Sequence, residues 1–271
     1  MSTISQLKKS LPKNIVLVGE ENTRPFECDG LNVYKQKPMA VVLPNEVGQV
    51  KKVLEICRKN KTPIVTRGAG TGLSGGAMPI KDSVVLGLSK LTKVISINPE
   101  ELTAVVEPGV RNLAISEAAE EYDLYYAPDP SSQIACTIGG NVAENAGGVH
   151  CLKYGLTIQN IESIKIFTID GDELVFSRDD KGLGLLALMT GSEGLLGIIT
   201  EITVKLTKKP EVAKLIMAGF DSVRDCANGV AEIIKNGIIP AGLEMMDEFA
   251  IQASEEFAQP GYPLGSKALL L

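Results

Sequence analysis

One histidine, His150, is all that the 271-residue chain carries. Its five cysteines (Cys28, Cys57, Cys136, Cys151 and Cys226) are scattered, odd in number and include no Cys-x-x-Cys pair. A Cys/His metal centre needs its ligands clustered at short spacings, so no metal site is expected. The cysteines read instead as small apolar residues of a reducing cytosol. There is no Lys/Arg-rich run, and 27 basic against 33 acidic side chains give a net charge of −6. That argues against nucleic acid as the main ligand, because phosphate neutralisation dominates such binding. No apolar stretch approaches the roughly 18 residues of a membrane span. The first residues, MSTISQLKKSLPKN, lack the apolar core of a secretion signal. A cytoplasmic protein with no integral membrane segment is expected. Neither an internal repeat nor a low-complexity segment is present.

What is there is an ordinary globular composition, 44% hydrophobic and 22% charged, enough for one large domain or two modest ones. Residues 1–36 form a lead-in with one short apolar run, NIVLVG. MAVVLP (39–44) reads as a strand stopped by Pro44. Val47, Val50, Val53, Leu54 and Cys57 then recur at helical spacing, with Asn45 as the expected N-cap. PIVT (63–66) is another strand, so a parallel βαβ unit is expected here. Further strands are expected at 83–88, 93–98 and 103–109, then a short helix from Arg111 to Tyr122. Residues 124–160, rich in Pro, Ser, Gly and Asn, have loop composition but too much order for a linker. IESIKIFTID and ELVFS flank Asp170-Gly171-Asp172, a hairpin signature. GIITEITVKL (197–206) alternates as a half-buried antiparallel strand. From Pro210 the pattern changes to a strand (AKLIMAGF), an amphipathic helix (SVRDCANGVAEIIKNG), a second helix (GLEMMDEFAIQASEEF) and a final apolar run, SKALLL. That last run reads as an unpaired strand in an incomplete second domain.

The chemistry concentrates in RGAGTGLSGG, residues 67–76. Gly70-Thr71-Gly72-Leu73-Ser74-Gly75 matches Gly-x-Gly-x-x-Gly, but the nicotinamide fingerprint needs a helix to start at the loop. Here a proline and a strand follow, with no acidic residue at a ribose-binding position. The Walker loop is excluded by the lack of Gly-Lys-Ser/Thr. Two readings of the loop stay open. One is an anion nest of consecutive amides, with glycine needed for positive φ and close approach, Thr71 and Ser74 adding hydroxyls and Arg67 adding charge beside it. The other is a purely structural glycine-rich turn. The segment YAPDPSSQIACTIGGNVAENAGG adds many short hydrogen-bonding groups, and TGSEGLLGIIT (190–200) repeats the theme. Three small-residue segments around one ligand suit something long, such as a dinucleotide.

PIVTRGAGTGLSGGA, AVVEPGVRNLAI, YYAPDPSSQIACTIGGNVAENAGGVHCLKYGLT and TGSEGLLGIITEITVKL together resemble the FAD-binding domain of the vanillyl-alcohol oxidase type. RPFECDGLNVYKQKP and NGIIPAGLEMMD are similar to the glycolate oxidase side of its D-lactate dehydrogenase and glycolate oxidase branch. The resemblance covers residues 20–271. It implies an α+β fold: a two-subdomain FAD-binding domain over 37–209 (about 37–108 and 109–209), followed by the start of an α/β cap domain over 210–271.

The resemblance also implies roles. Arg67, Gly68, Ala69, Gly70, Thr71, Gly72, Ser74, Gly75 and Gly76 would hold the FAD pyrophosphate, with Pro108 and Gly109 closing the floor. Asp129, Ser131 and Ser132 would lie near the ribityl and phosphate groups. Thr137, Gly139, Gly140, Asn141 and Asn145 would run along the flavin, and Gly148 would also contact the cofactor. Gly194, Gly197 and Ile199, beside Glu193, would approach the adenine or flavin edge. The loop has no histidine for a covalent link, so the FAD would be non-covalent. His150 is the one catalytic candidate, set against a structural role for a lone histidine. The implied activity is oxidation of a small-molecule 2-hydroxy acid, glycolate to glyoxylate, by hydride transfer to flavin N5. Electrons would pass to other glycolate oxidase subunits, a second FAD-binding subunit and an iron–sulfur subunit. Those partners could hold the protein peripherally at the inner membrane. D-lactate or another 2-hydroxy acid is the alternative substrate. An FAD-binding fragment without its own turnover is the alternative of a different class, since the implied base and metal site belong to the C-terminal domain.

Overall fold

The structure is a computed structural model that describes residues 1–271. It begins with helix α1 (Thr3–Ser10), strand β1 (Val16–Leu17) and the single turn α2 (Glu20–Thr23). Strand β2 (Ala40–Val42), helix α3 (Val47–Lys59), β3 (Ile64–Arg67) and β4 (Val84–Gly87) complete the first unit. Its sheet runs β1-β2-β4-β3, with β2 and β3 each parallel to β4 and β1 antiparallel on the edge. The expected parallel βαβ unit is present, and β4 is inserted between its two strands.

Short Val/Ile/Leu runs buried on both faces give such strands, and α3 covers one face with Val50, Val53, Leu54 and Cys57. The lead-in joins the same core through Leu7, Leu11, Ile15 and Val16. Asn45 does not cap α3. Glu46 holds the N-cap position without a side-chain bond, and the Gln49 side chain turns back to accept from the Asn45 amide at 3.0 Å.

The second sheet runs β5-β6-β10-β8-β9 and is antiparallel throughout. Its strands are β5 (Val94–Asn98), β6 (Thr103–Val106), β8 (Ile161–Phe167), β9 (Glu173–Ser177) and β10 (Ile198–Lys205). Between them lie α4 (Asn112–Ala119), β7 (Leu124–Tyr125), α5 (Ile138–Glu144), α6 (Cys151–Tyr154) and α7 (Leu185–Met189). The β8–β9 hairpin turns at Gly171, φ 88°, closed by the Thr168 amide on the Asp172 carbonyl at 2.9 Å. The central strand β10 buries Ile202 and Val204 against α4 and α5 residues Ile115, Ile138 and Val142. The loop-like composition of 124–160 thus conceals a helix, α5.

The last unit follows β11 (Thr207–Lys208), which pairs with β7. It contains β12 (Ala218–Phe220), α8 (Val223–Lys235), β13 (Met245–Asp247), α9 (Glu248–Ala258) and β14 (Ala268–Leu270). The expectation of an unpaired terminal strand is corrected here. β14 is the middle strand of the order β12-β14-β13, hydrogen-bonded on both sides and buried. The expected second helix begins only at Glu248, because Met245–Asp247 is claimed by β14 as a partner strand.

Burial in α3 pushes the Cys57 thiol from 9.0 up to about 12. The unfolded chain ionises this group from about pH 9, whereas the native chain holds its proton. The stability it contributes is therefore complete below pH 9 and falls as pH rises towards 12, by about 1.4 kcal/mol per pH unit. Urea midpoints between about pH 8 and 11 should show a shallower alkaline decline for Cys57→Ala than for the wild type. Equal slopes would contradict this.

Candidate functional site

The glycine segment leaves the C-terminal end of β3 and returns, without a helix, to the start of its parallel neighbour β4. Gly70 and Gly75 take φ of 77° and 85°, which L side chains tolerate poorly. The Gly75 amide donates to Asp29 Oδ2 at 2.9 Å, while Asp29 Oδ1 accepts from the Leu31 amide. The adjacent Gly30 lies so close to the loop that a Cβ there would sit 2.8 Å from the Gly72 carbonyl oxygen. Apart from Gly75, the amides from Gly68 to Ala77 donate to no protein acceptor. A half-exposed loop that turns that many unspent donors towards a cleft offers a site for an acceptor-rich ligand.

Arg67 does not flank the loop as expected. Its side chain is buried beneath Gly70, where any Cβ would collide with the guanidinium. Nη1 donates to the Cys28 carbonyl at 2.6 Å, and the guanidinium lies 5.7 Å from the Phe26 ring centroid. Burial lowers its pKa from the ordinary arginine value, with Cys28 and Asp29 acting in the opposite direction. Arg67 props the loop from below.

The second wall is the start of α5. Thr137 is its N-cap, accepting from the Gly140 amide at 3.4 Å. The Ile138 and Gly139 amides donate to the Val110 and Pro108 carbonyls at 2.8 and 2.9 Å. Gly68 lies directly on Thr137, and a Cβ at Gly68 would collide with Thr137 Oγ1. A Cβ at Gly139 would sit 2.6 Å from Pro108 Cβ. The third wall is 190–199, tied to α5 by the Gly191 and Glu193 amides on the Val142 and Ala143 carbonyls, both 2.8 Å. Glu193 is held at φ 53° and Gly194 at φ 72°, the latter against Thr66.

These walls enclose one cleft of about 310 Å³. It is lined by Arg67, Gly68, Ala69, Gly70, Thr71, Gly72, Gly76, Pro108, Ser132, Thr137, Gly139, Gly140, Asn141, Gly194, Gly197 and Ile199. Seven of the expected residues lie off it. Ser74 turns its hydroxyl to Glu144 Oε2 at 2.8 Å, and the Gly75 amide is spent on Asp29. Gly109 packs under the floor, where a Cβ would meet the Leu88 and Leu91 carbonyls at 2.5 Å. Ser131 is exposed. Asn145 ends α5 at φ 49° and accepts from the Ile158 amide at 3.0 Å. Gly148 packs on Asp129, whose carboxylate faces His150.

Sequence reasoning missed Asp29, Thr66, Leu73, Ala77, Leu88, Pro130, Cys136, Ala143, Glu144 and Ala146 on the lining. For Asp29 the Asp-Gly pair at 29–30 was the available signal of a turn. His150 lies outside the cleft. Its Nδ1 is 2.9 Å from Asp129 Oδ2 but not aligned for a hydrogen bond, and its ring stands edge-on to Tyr154 at 6.1 Å. Tyr154 also faces Tyr125, whose pKa is raised by burial and by the Tyr154 contact.

A family model described as FAD binding domain matches residues 38–177, and one described as FAD linked oxidases, C-terminal domain, matches 209–271. Glycolate oxidase subunit GlcD of Escherichia coli (strain K12) is 53% identical over 273 residues, covering 100% of this chain and 55% of that protein. The subunit of the same name from Bacillus subtilis (strain 168) is 39% identical, covering 91% of this chain and 53% of its own length. A D-lactate dehydrogenase of Anaerostipes hadrus is 34% identical, covering 94% and 54%. The chain spans about half the length of the curated relatives it matches. A solved alkyldihydroxyacetonephosphate synthase shares the fold at TM-score 0.87 and 21% identity, covering 99% of this chain and 54% of that one.

Bare amides, the Thr71 and Thr137 hydroxyls, and apolar Leu88, Pro108 and Ile199 in one cleft fit the phosphates and ring of FAD. Gly68→Ala and Gly139→Ala should each weaken FAD binding about tenfold or more by fluorescence titration. Gly48→Ala, at a position in α3 with open space around it, should leave binding unchanged. Native affinity in both cleft variants would contradict this use of the glycines.

Proposed function

The chain belongs to the FAD-binding domain family of FAD-linked oxidases, and from that premise we propose that it is the FAD-holding part of a 2-hydroxy-acid oxidoreductase acting on glycolate. The observation that carries this reading is the convergence of three glycine-rich segments on one cleft whose loop amides, Gly75 excepted, have no protein acceptor. Identity of 53% to a glycolate oxidase subunit supports the substrate.

In this reading the amides of Gly68, Gly70, Gly72 and Gly76, with the Thr71 hydroxyl, hold the pyrophosphate. Backbone from Gly139 to Asn141, with Gly194, Gly197 and Ile199, forms the wall along the rest of the cofactor. The Asn141 side chain faces inward, so its share in binding comes through the backbone. The chemistry that FAD would supply when held here is acceptance of hydride at flavin N5 from the Cα–H of the hydroxy acid. Leu88, Pro108 and Ile199 give the cleft the apolar lining that would keep water from a bound ring. His150 lies off the cleft and is paired with Asp129, so it serves the α6 turn and is not the base. Substrate carboxylate recognition and the base are assigned to the C-terminal domain that residues 209–271 enter. Electrons leave to partner subunits, a second FAD-binding subunit and an iron–sulfur subunit. No helix is long and apolar enough to cross a membrane, and attachment at the inner membrane would run through those partners.

D-lactate is the second reading, favoured by the relative at 34% identity. Both are tested anaerobically on FAD-loaded enzyme in which this chain is joined by the rest of the C-terminal domain. Glycolate should bleach the visible flavin band faster than D-lactate at equal concentration. The reverse order would move the assignment to D-lactate. A stable flavin band with both acids would reduce the role of this chain to holding FAD.

A further inference from the structure

Asn112, the first residue of α4, does not line the cleft, yet it is 1% exposed and bonds to three separate points of the segment that does. Its Nδ2 donates to the Pro128 carbonyl at 3.0 Å and to Asn141 Oδ1 at 2.9 Å. Its backbone amide donates to the Cys136 carbonyl at 3.0 Å. Asn141 passes the contact on, its Nδ2 donating to Cys136 Sγ at 3.3 Å. Asn141 and Cys136 are both 4% exposed, and both line the cleft.

Residues 128–137 have little apolar content of their own, and apart from turn bonds within 130–136 and one bridge of Thr137 to Arg111 their backbone has no strand partner. Its shape must be fixed by such bonds, because buried polar groups in a low-dielectric interior hold one geometry or cost heavily when unmade. The wall carrying Pro130, Ser132, Cys136 and Thr137 is therefore as well defined as this network is intact. Thr137 in turn supports Gly68 across the cleft.

We propose that Asn112 is a positioning residue for the cofactor: through Asn141 and Cys136 it sets the shape of one cleft wall and hence both the affinity and the electronic environment of the bound flavin. This rests on the cleft being the FAD site. Cys136 has a specific part in it, as the acceptor that fixes the orientation of the Asn141 amide.

FAD is titrated into the wild type and into Asn112→Ala, Cys136→Ala and Cys136→Ser, following Kd by fluorescence and the position of the bound flavin's absorption band. Apo stability is measured for each by urea unfolding. Failure of the wild type to bind FAD would sink the site assignment itself. With the wild type binding, Asn112→Ala should weaken FAD roughly tenfold and displace the band. Native Kd and an unmoved band in folded Asn112→Ala would overturn the inference. So would a weaker Kd with the band unmoved, which a merely structural role would produce. Should Asn112→Ala fail to fold, the cysteine pair decides. Cys136→Ser keeps an acceptor for Asn141 and should bind within about threefold of wild type, whereas Cys136→Ala should not. Equal behaviour of the two cysteine variants, in either direction, would contradict the proposed relay.

Discussion

The approach of Gly68 to Thr137 is the contact on which the cleft depends. One residue follows β3 of the first sheet, and the other caps α5 of the second unit. They meet with no room for a side chain between them. One core gathers on α3 and the parallel strands and the other on β10 and its antiparallel neighbours, and Phe167 and Ile198 of β8 and β10 join the first core as well. Bringing backbone against a helix cap puts a run of unspent amides beside the Thr137 hydroxyl. A cleft for a long, anionic, partly aromatic cofactor follows from that placement.

The charge arrangement around the loop is the opposite of a simple cationic clamp. The single nearby guanidinium, Arg67, is buried and committed to Cys28 and Phe26. Asp29 is buried with its carboxylate on the Gly75 amide. Glu144 and Glu193 crowd Gly76, where a Cβ would sit 2.9 and 3.0 Å from their carboxylate oxygens. Binding of phosphate oxygens is thereby left to main-chain dipoles, which cost no side-chain entropy to aim. Asp29 and Arg67 hold that backbone from beneath, so the lead-in segment is part of the site.

Local patterns made much of the fold readable. Helical spacing marked α3, alternation marked β10, and Asp170-Gly171-Asp172 marked the hairpin. The strands on either side of the glycine loop were legible in the residues themselves, and they suffice to exclude the nicotinamide reading. The α5 helix escaped because Gly139 and Gly140 lie in its first turn, and glycine is a poor helix former. Its Thr137 cap and its amide bonds to Pro108 and Val110 override that propensity. Asp29 escaped because its partner amide is 46 positions away along the chain. The same holds for β14, whose pairing with both β12 and β13 is non-local. Within the site, residue type identified the segments but not which members face the ligand. Ser74, Asn145 and Gly148 share the composition of the lining and are spent on neighbouring backbone or side chains instead.

The most direct test of the account is backbone amide NMR of the protein during titration with FAD. The amides of Gly68, Gly70, Gly72 and Gly76 should show the largest shifts, with Gly75 moving least in the loop because Asp29 already holds it. Shifts concentrated elsewhere, with the glycine-loop amides unmoved at saturation, would contradict it.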